Sequence, residues 1–384
     1  MEFVVVILLI LNIWFILIVA LATLVNRTFK AKNYERAILY STILTFLNPI
    51  NGKIFYGRGL TYQANGQLDL AIKDFVRAIK LRKGSFQSYY ALLDILCVKH
   101  RVEKFAPFAN EIVRFLPNQA ESYNIRGVYY MLLEQYDDAL ADFEKSLMIL
   151  PTEPRYISNQ AWSLYKLGKV AVAKKIYDDL VKTNINFLHA RQNLIIIAIE
   201  EKRLEDALTL ADALLKIDNA SSFYFQLRSR IYRKLERYTE AFTDIEFALR
   251  LQSDQAGHYL ERGLIYTDMQ NYDSAIADFT QSIALAPLES CPYVDRGAVY
   301  FVLDRIDEAH ADAVKAYELE ADSKYSISLL ALTSFIRGEI DEAQRLWRDM
   351  VELDERYMDV AWTVEDLGWK DLLVAVTEKL IATL

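Results

Sequence analysis

Four histidines and two cysteines are the residues of this 384-residue chain best suited to hold a metal or to act as a nucleophile. Their spacing gives them nothing to do together. His100, His189, His258 and His310 are scattered, with no HExxH and no paired ligand spacing. Cys97 and Cys291 form no CxxC, so neither a zinc ribbon nor a disulfide framework is supported. "GRGLTY" from Gly57 begins like a dinucleotide loop, but it lacks the third glycine and follows no strand. No GKS or GKT, no G-x-S-x-G and no Cys/His nucleophile signature occurs. The expectation is a protein that is not an enzyme, with no cofactor, no metal and no small-molecule substrate.

Charge offers a second kind of chemistry. Arg58, Arg126, Arg228, Arg262 and Arg296 are each followed 16 residues later by an aspartate, namely Asp74, Asp142, Asp244, Asp278 and Asp312. At four further equivalent places both charges are missing together: Leu92 with Phe108, Gln160 with Ile176, Leu194 with Leu210, Leu330 with Leu346. All-or-none exchange predicts five structural ion pairs. A denser basic run, "RSRIYRKLER", holds Arg228, Arg230, Arg233, Lys234 and Arg237. It suits an acidic peptide first, anionic headgroups second and nucleic acid last, because aromatic stacking platforms beside it are few and the formal charge is −8.

A regular spacing of pairs needs a regular scaffold. "YNIRGVYYMLLEQYDDALADFEKSLMILP" at Tyr123–Pro151 and "YLERGLIYTDMQNYDSAIADFTQSIALAP" at Tyr259–Pro287 share markers at identical offsets, 136 residues apart, four times 34. A frame of 34 fits without a gap from Gly52 to Tyr357, with units starting at Gly52, Phe86, Ala120, Pro154, Leu188, Ser222, Ala256, Ser290 and Lys324. Position 20 is Ala in eight of the nine units, and only Phe105 of unit two departs. Position 8 is Gly59, Gly127, Gly263 and Gly297 in four units and Ala161, Ser229 or Ala331 in three more. Position 11 is Tyr in five, position 24 is aromatic in five, and position 32 is Pro117, Pro151 and Pro287. Apolar spacings of three and four predict two amphipathic helices per unit. The small residue at 8 is expected to face the small residue at 20, with the aromatics at 11 and 24 filling the gap to the next unit. One such hairpin cannot bury its own apolar faces, but a stack can.

This pattern resembles the tetratricopeptide repeat family over 52–357. The resemblance implies an all-α fold, a right-handed superhelical solenoid forming one elongated body, whose first helices line a concave groove for a protein or peptide partner. By that resemblance the groove holds Lys53 and Tyr56, Tyr90 and Asp94, Asn124, then Arg155, Trp162, Tyr165 and Lys166, followed by His189 and Gln192, and by Gln226, Arg230, Arg233 and Lys234. The family's carboxylate clamp wants Lys-x-x-x-Asn in the first unit, and Tyr56 and Leu60 stand there instead.

The ends are different. Residues 3–25, "FVVVILLILNIWFILIVALATLV", are uncharged and long enough for a transmembrane anchor, assigned to 1–26. The rival is a signal peptide cleaved at Ala20-Leu21-Ala22, which would make a secreted or periplasmic binding module. Arg27, Lys30, Lys32 and Arg36 follow the span, which predicts a single-pass protein with its repeats in the cytoplasm. Residues 27–51 complete a partial first repeat, whose frame begins at Ile18 inside the span and whose second helix is Tyr34 to Leu47. Residues 358–384 form one capping helix. The expected role is a membrane-anchored scaffold or assembly factor, with the regulatory subunit of a membrane complex as another possibility.

Overall fold

The computed structural model describes residues 2–81, 86–99, 101–184, 187–368 and 371–384, with side chains from Leu11 onward except those of Asp371 and Leu372. His100 lies outside the described residues. Every element is helical, and no strand occurs among the described residues. The chain divides into two compact units, Met1–Phe187 and Leu188–Leu384, where the repeat count alone implied one body.

The first unit holds α1 (Glu2–Lys30), α2 (Tyr34–Leu47), α3 (Gly52–Ala64), α4 (Leu68–Leu81), α5 (Phe86–Val98), α6 (Ala106–Phe115), α7 (Ala120–Leu132), α8 (Tyr136–Ile149), α9 (Pro154–Lys166) and α10 (Val170–Thr183). The second holds α11 (Leu188–Glu200), α12 (Leu204–Ile217), α13 (Ser222–Lys234), α14 (Tyr238–Leu251), α15 (Ala256–Asp268), α16 (Tyr272–Leu285), α17 (Cys291–Val302), α18 (Ile306–Leu319), α19 (Lys324–Ile336) and α20 (Ile340–Leu353). It closes with α21 (Val360–Leu367) and α22 (Asp371–Ile381). First helices begin at position 1 of the frame, except α17, which starts one residue late. Second helices run from position 17 to 30, except in unit two.

Among the described residues, nine hairpins turn through a residue at position 15 with positive φ: Lys32, Gly66, Glu134, Gly168, Lys202, Glu236, Gln270, Asp304 and Gly338, between 55° and 83°. Only three of them are glycine, the residue that adopts this conformation without a steric penalty. The small residue at position 20 has a plain cause, since all eight alanines there are fully buried.

Position 8 meets both position 20 and position 24 of its own hairpin: Ser229 Oγ donates to the Ala241 carbonyl at 2.7 Å. A Cβ built on Gly59, Gly127 or Gly263 would lie 2.6 Å from a ring carbon of Phe75, Phe143 or Phe279. The glycine makes room for the position-24 ring of its own hairpin, and each ring is fully buried there. At Gly297, whose unit has Ala313 at position 24, a built Cβ would lie 3.3 Å from the position-20 carbonyl oxygen of Ala309. The position-11 tyrosines are half-buried and lie beside the position-7 arginines, with Arg58, Arg126, Arg228 and Arg296 carbons 5.6–5.8 Å from the ring centres.

Unit two breaks the pattern locally. A 3-10 turn, Val102–Phe105, precedes α6, and Pro107 lies in the first turn of that helix. Phe105 is fully buried among Tyr89, Phe108 and Tyr129, with ring centres 5.7–6.5 Å away. A large ring in an alanine's place displaces the second helix, which therefore starts four residues late. The C-terminal cap is also different: it is a pair of helices, α21 and α22, and not one helix. Gly368 ends α21 with φ 68°, and Leu373, Val376 and Leu380 bury against the core around Trp347 and Met350.

Candidate functional site

All five Arg–Asp pairs are two-pronged. Nε and Nη2 of Arg58, Arg126, Arg228, Arg262 and Arg296 donate to the two carboxylate oxygens of Asp74, Asp142, Asp244, Asp278 and Asp312 at 2.6–2.8 Å. The aspartates expose 3–9% of their side chains and the arginines 16–22%. The aspartate hydrogen bonds come first among the causes that hold these arginine pKa values above the ordinary range. A third bond links each hairpin to the one before it. Nη1 reaches Thr42 and Thr45, Asn110, Asp212, Glu246 and Thr280 respectively. The residue 16 before each arginine is thus polar in all five cases, a signal present in the sequence itself. These groups are used up holding hairpins together.

In the first unit, Tyr90 and Asn124 meet: Asn124 Nδ2 donates to Tyr90 Oη at 2.6 Å, and Asn159 Nδ2 donates to Asn124 Oδ1 at 3.0 Å. Tyr90 donates in turn to Glu121 at 2.6 Å. Glu121 also accepts from Tyr156 at 2.5 Å and from Arg155 at 3.1 Å. Burial works to raise the Glu121 pKa, but these three donors outweigh it and hold the carboxyl below its ordinary range. Burial and the Glu121 carboxylate both push the Tyr90 hydroxyl up. Glu121 and Tyr156 were not among the expected groove residues. Equal frame positions in neighbouring units lie 34 apart, as Tyr90–Asn124 and Glu121–Arg155 do, so side chains stacked along the first helices could have been paired from the numbering.

Trp162 and Tyr165 of α9 stand half-buried with ring centres 5.6 Å apart, and Lys166 Nζ lies 5.0 Å over the indole and 5.6 Å over the phenol. They form an aromatic ledge capped by a cation. Tyr56 is placed elsewhere, 5.8 Å from the Phe75 ring.

The second unit has a cleft of about 450 Å³ lined by Gln226, Arg230 and Arg233 of α13, Leu260, Glu261 and Leu264 of α15, Val294 and Asp295 of α17, and Tyr325 of α19. Four successive first helices thus supply an apolar floor and convergent polar groups. Arg233 is not a spare cation: it binds Glu261 at 2.7 Å and Asp268 at 3.1 Å. Arg230 is exposed and makes no hydrogen bond or ion pair among the described residues. Burial pushes the Asp295 carboxyl up to about 7, Arg233 opposing and Glu261 adding to the rise. Burial also lowers the Lys234 ammonium, with Arg230 and Arg233 adding to the fall. Gln226 donates to the Gly257 carbonyl at 2.9 Å and lies 3.1 Å from His258 Nδ1. Gln192 is half-buried on α11, apart from the cleft lining. Glu261, Asp268 and Asp295 were missed because a charge on an exposed-looking helical stripe gives no sign that a neighbouring helix will bury it.

Tetratricopeptide repeat profiles match residues 52–84, 120–153, 158–222 and 258–287. The chain is a tetratricopeptide repeat protein. It is similar to human tetratricopeptide repeat protein 13, with 24% identity over 166 residues that make up 42% of this chain and 19% of that protein. It is also similar to the human protein O-mannosyl-transferase TMTC1, with 25% identity over 125 residues, 33% of this chain and 13% of that one. The matched stretch therefore spans less than a fifth of either relative. Among solved structures, a tetratricopeptide repeat protein from Parabacteroides merdae aligns with 68% of this chain and 98% of its own, at 16% identity and a TM-score of 0.49. The tetratricopeptide repeats mark the chain as a protein-interaction scaffold. Among the described residues, one helix, α1, has a stretch, Leu11–Lys30, long and apolar enough to cross a membrane.

Proposed function

We propose that this protein is a membrane-anchored scaffold that binds a protein or peptide along the first-helix faces of its repeats, without catalysis. The cleft over α13, α15, α17 and α19 carries the reading. Its floor is apolar, and its one unpaired exposed cation, Arg230, stands at the mouth, a setting that suits an extended or helical peptide bearing a carboxylate. The Trp162–Tyr165–Lys166 ledge supports a second contact of the same kind in the first unit.

Retention of α1 as an anchor is supported by its packing. Ile18, Leu21, Val25 and Thr28 form one stripe of reduced exposure, and Leu21 is buried. Cleavage after Ala22 would strip α2 of half of that partner. N-terminal sequencing of the mature protein tests this: a mature end at Thr23 rejects the anchor and leaves a released binding module. Protease access to sealed vesicles tests the cytoplasmic placement of the repeats. For the cleft, a photo-crosslinker at Leu264 in native membranes should capture a partner, and Arg230→Glu should abolish the capture. Undiminished capture by Arg230→Glu would reject this cleft as the binding surface.

A further inference from the structure

The first hairpin carries an apolar surface that its own repeat does not use. On α2, Ala37, Ser41, Leu44 and Thr45 are buried, facing α1 and α3. The opposite stripe is Leu39, Ile43, Phe46 and, just past the helix, Ile50, with exposures of 57%, 39%, 85% and 78%. A helix turned to water would put polar residues there. Instead "AILYSTILTFLNPING", from Ala37 to Gly52, contains no charge at all.

Length says what covers this stripe. A hydrocarbon core of about 30 Å takes about 20 helical residues. Beginning at Phe3, that reaches about Ala22. Yet from Ile18 onward one side of α1 is already committed to protein packing, and the stretch before it, Phe3 to Leu17, covers only about 22 Å. The bilayer must therefore extend past the point where α2 comes alongside. α2 turns back through Ala31, Lys32 and Asn33, with Lys32 at φ 55°, and packs on α1. Its 14 residues retrace about 21 Å, to the level of about Leu17. Ile43, Phe46 and Ile50 then lie at or below the level of Ala22, and Leu39 lies at the headgroups.

We propose that α2 is partly sunk into the bilayer, so that Ile43, Phe46 and Ile50 meet acyl chains while the basic turn sits in the headgroup layer. Arg27, Lys30, Lys32 and Arg36 all fall at the end of the hairpin that faces water, where anionic headgroups complement them. The buried hydroxyls of Ser41 and Thr45 are satisfied inside the protein. Ser41 Oγ donates to the Ile38 carbonyl at 3.0 Å, Thr45 Oγ1 to the Thr42 carbonyl at 2.7 Å, and Arg58 Nη1 to Thr45 Oγ1 at 2.9 Å. The next charge, Lys53, is exposed at the start of α3, and its long stem lets the ammonium reach the headgroups. The repeats then grow directly from the lipid surface with no tether, and the membrane acts as the partner of the first hairpin.

This rests on α1 being retained as an anchor, and the test separates the two. Full-length protein with Cys97→Ser and Cys291→Ser would be labelled with a small fluorophore at Leu11→Cys, Phe46→Cys, Ile50→Cys or Leu70→Cys, and reconstituted in vesicles of phosphatidylcholine and phosphatidylglycerol. Phe46 and Ile50 are so exposed that their replacement leaves the fold intact, which circular dichroism checks. Labels at positions 46 and 50 should be quenched by acyl-chain nitroxide, as the label at 11 is, and should lose quenching by aqueous iodide. The label at 70, on an exposed site of α4, should show the reverse. Iodide quenching at 46 and 50 with lipid quenching at 11 overturns the sunken hairpin and leaves the anchor standing. Iodide quenching at 11 as well overturns the anchor, and the sunken hairpin with it.

Discussion

Arg296 and Asp312 offer a clean measurement of what the paired charges contribute. Nε and Nη2 of Arg296 meet the Asp312 oxygens at 2.8 and 2.7 Å, and the third bond goes to a neutral hydroxyl, Thr280, at 2.9 Å. No second carboxylate complicates the cycle, as Glu246 does for Arg262. Asp312 exposes 9% of its side chain, so Arg296→Leu leaves a carboxylate that water barely reaches, at a cost of about 3 kcal/mol. Asp312→Leu should cost less, about 2 kcal/mol, because the guanidinium, with 17% of its side chain exposed, can turn partly to solvent. The double variant reproduces the Leu330–Leu346 pair that α19 and α20 carry at the same frame positions, both buried, and should return to within about 1 kcal/mol of the parent. The coupling energy is therefore expected at about 4 kcal/mol or more. Because stacked hairpins need not unfold together, hydrogen exchange at α17 and α18 amides should be read beside urea unfolding of the whole chain. Single effects that simply add, to within about 0.5 kcal/mol, would falsify the claim that the two side chains act as one unit.

Three further outcomes follow from the same geometry. Gly263→Ala places a methyl group 2.6 Å from the fully buried Phe279 ring and should destabilise by about 1–2 kcal/mol after the helix-propensity gain, whereas Gly57→Ala, with no atom within 4 Å, should stabilise by about 0.5–1 kcal/mol; urea midpoints decide both. Glu236→Gly at φ 58° should raise Tm, with a net gain of up to about 1 kcal/mol, because the left-handed conformation costs a side chain more than glycine loses in entropy. For Asp295 the folded pKa is raised from 3.8 to about 7, so its contribution is present in acid and is lost as pH climbs from about 4 to about 7. Burial likewise raises Glu261, against the pull of Arg233, and the two carboxyls act in the same direction. Burial instead lowers His258, which therefore works oppositely: stability falls as pH drops below its ordinary value of 6.5. Asp295→Asn should thus gain on the parent between pH 5.5 and 7.5 in thermal melts, and an unchanged difference across that range would refute the assignment.

The repeat period was legible because it is written in local physics. Helix length, the buried alanine at position 20 and the proline after the second helix recur as residue types, and each acts within a few residues of itself. The five Arg–Asp pairs were legible for a related reason: two positions that touch exchange together, as Leu194 and Leu210 show by losing both charges. Lys32, Glu134 and Gln270 at the turns gave no such sign. Their left-handed backbone follows from closing the hairpin, and the side chain merely tolerates it.

The sequence by itself determined that this chain is helical hairpins on a period of 34, that an apolar segment precedes them, and which charges belong to the scaffold. Only the tertiary structure decided which first-helix side chains remain available. It ties Arg233 to Glu261 and Asp268 while leaving Arg230 open, and it joins Tyr90, Glu121 and Tyr156 into one polar cluster. It also turns Phe46 outward beside the apolar segment. The physical reason is that a period reports what a residue does within its own hairpin. Availability depends on the distance to a neighbouring helix and on how much water that helix excludes, and neither quantity is carried by spacing along the chain.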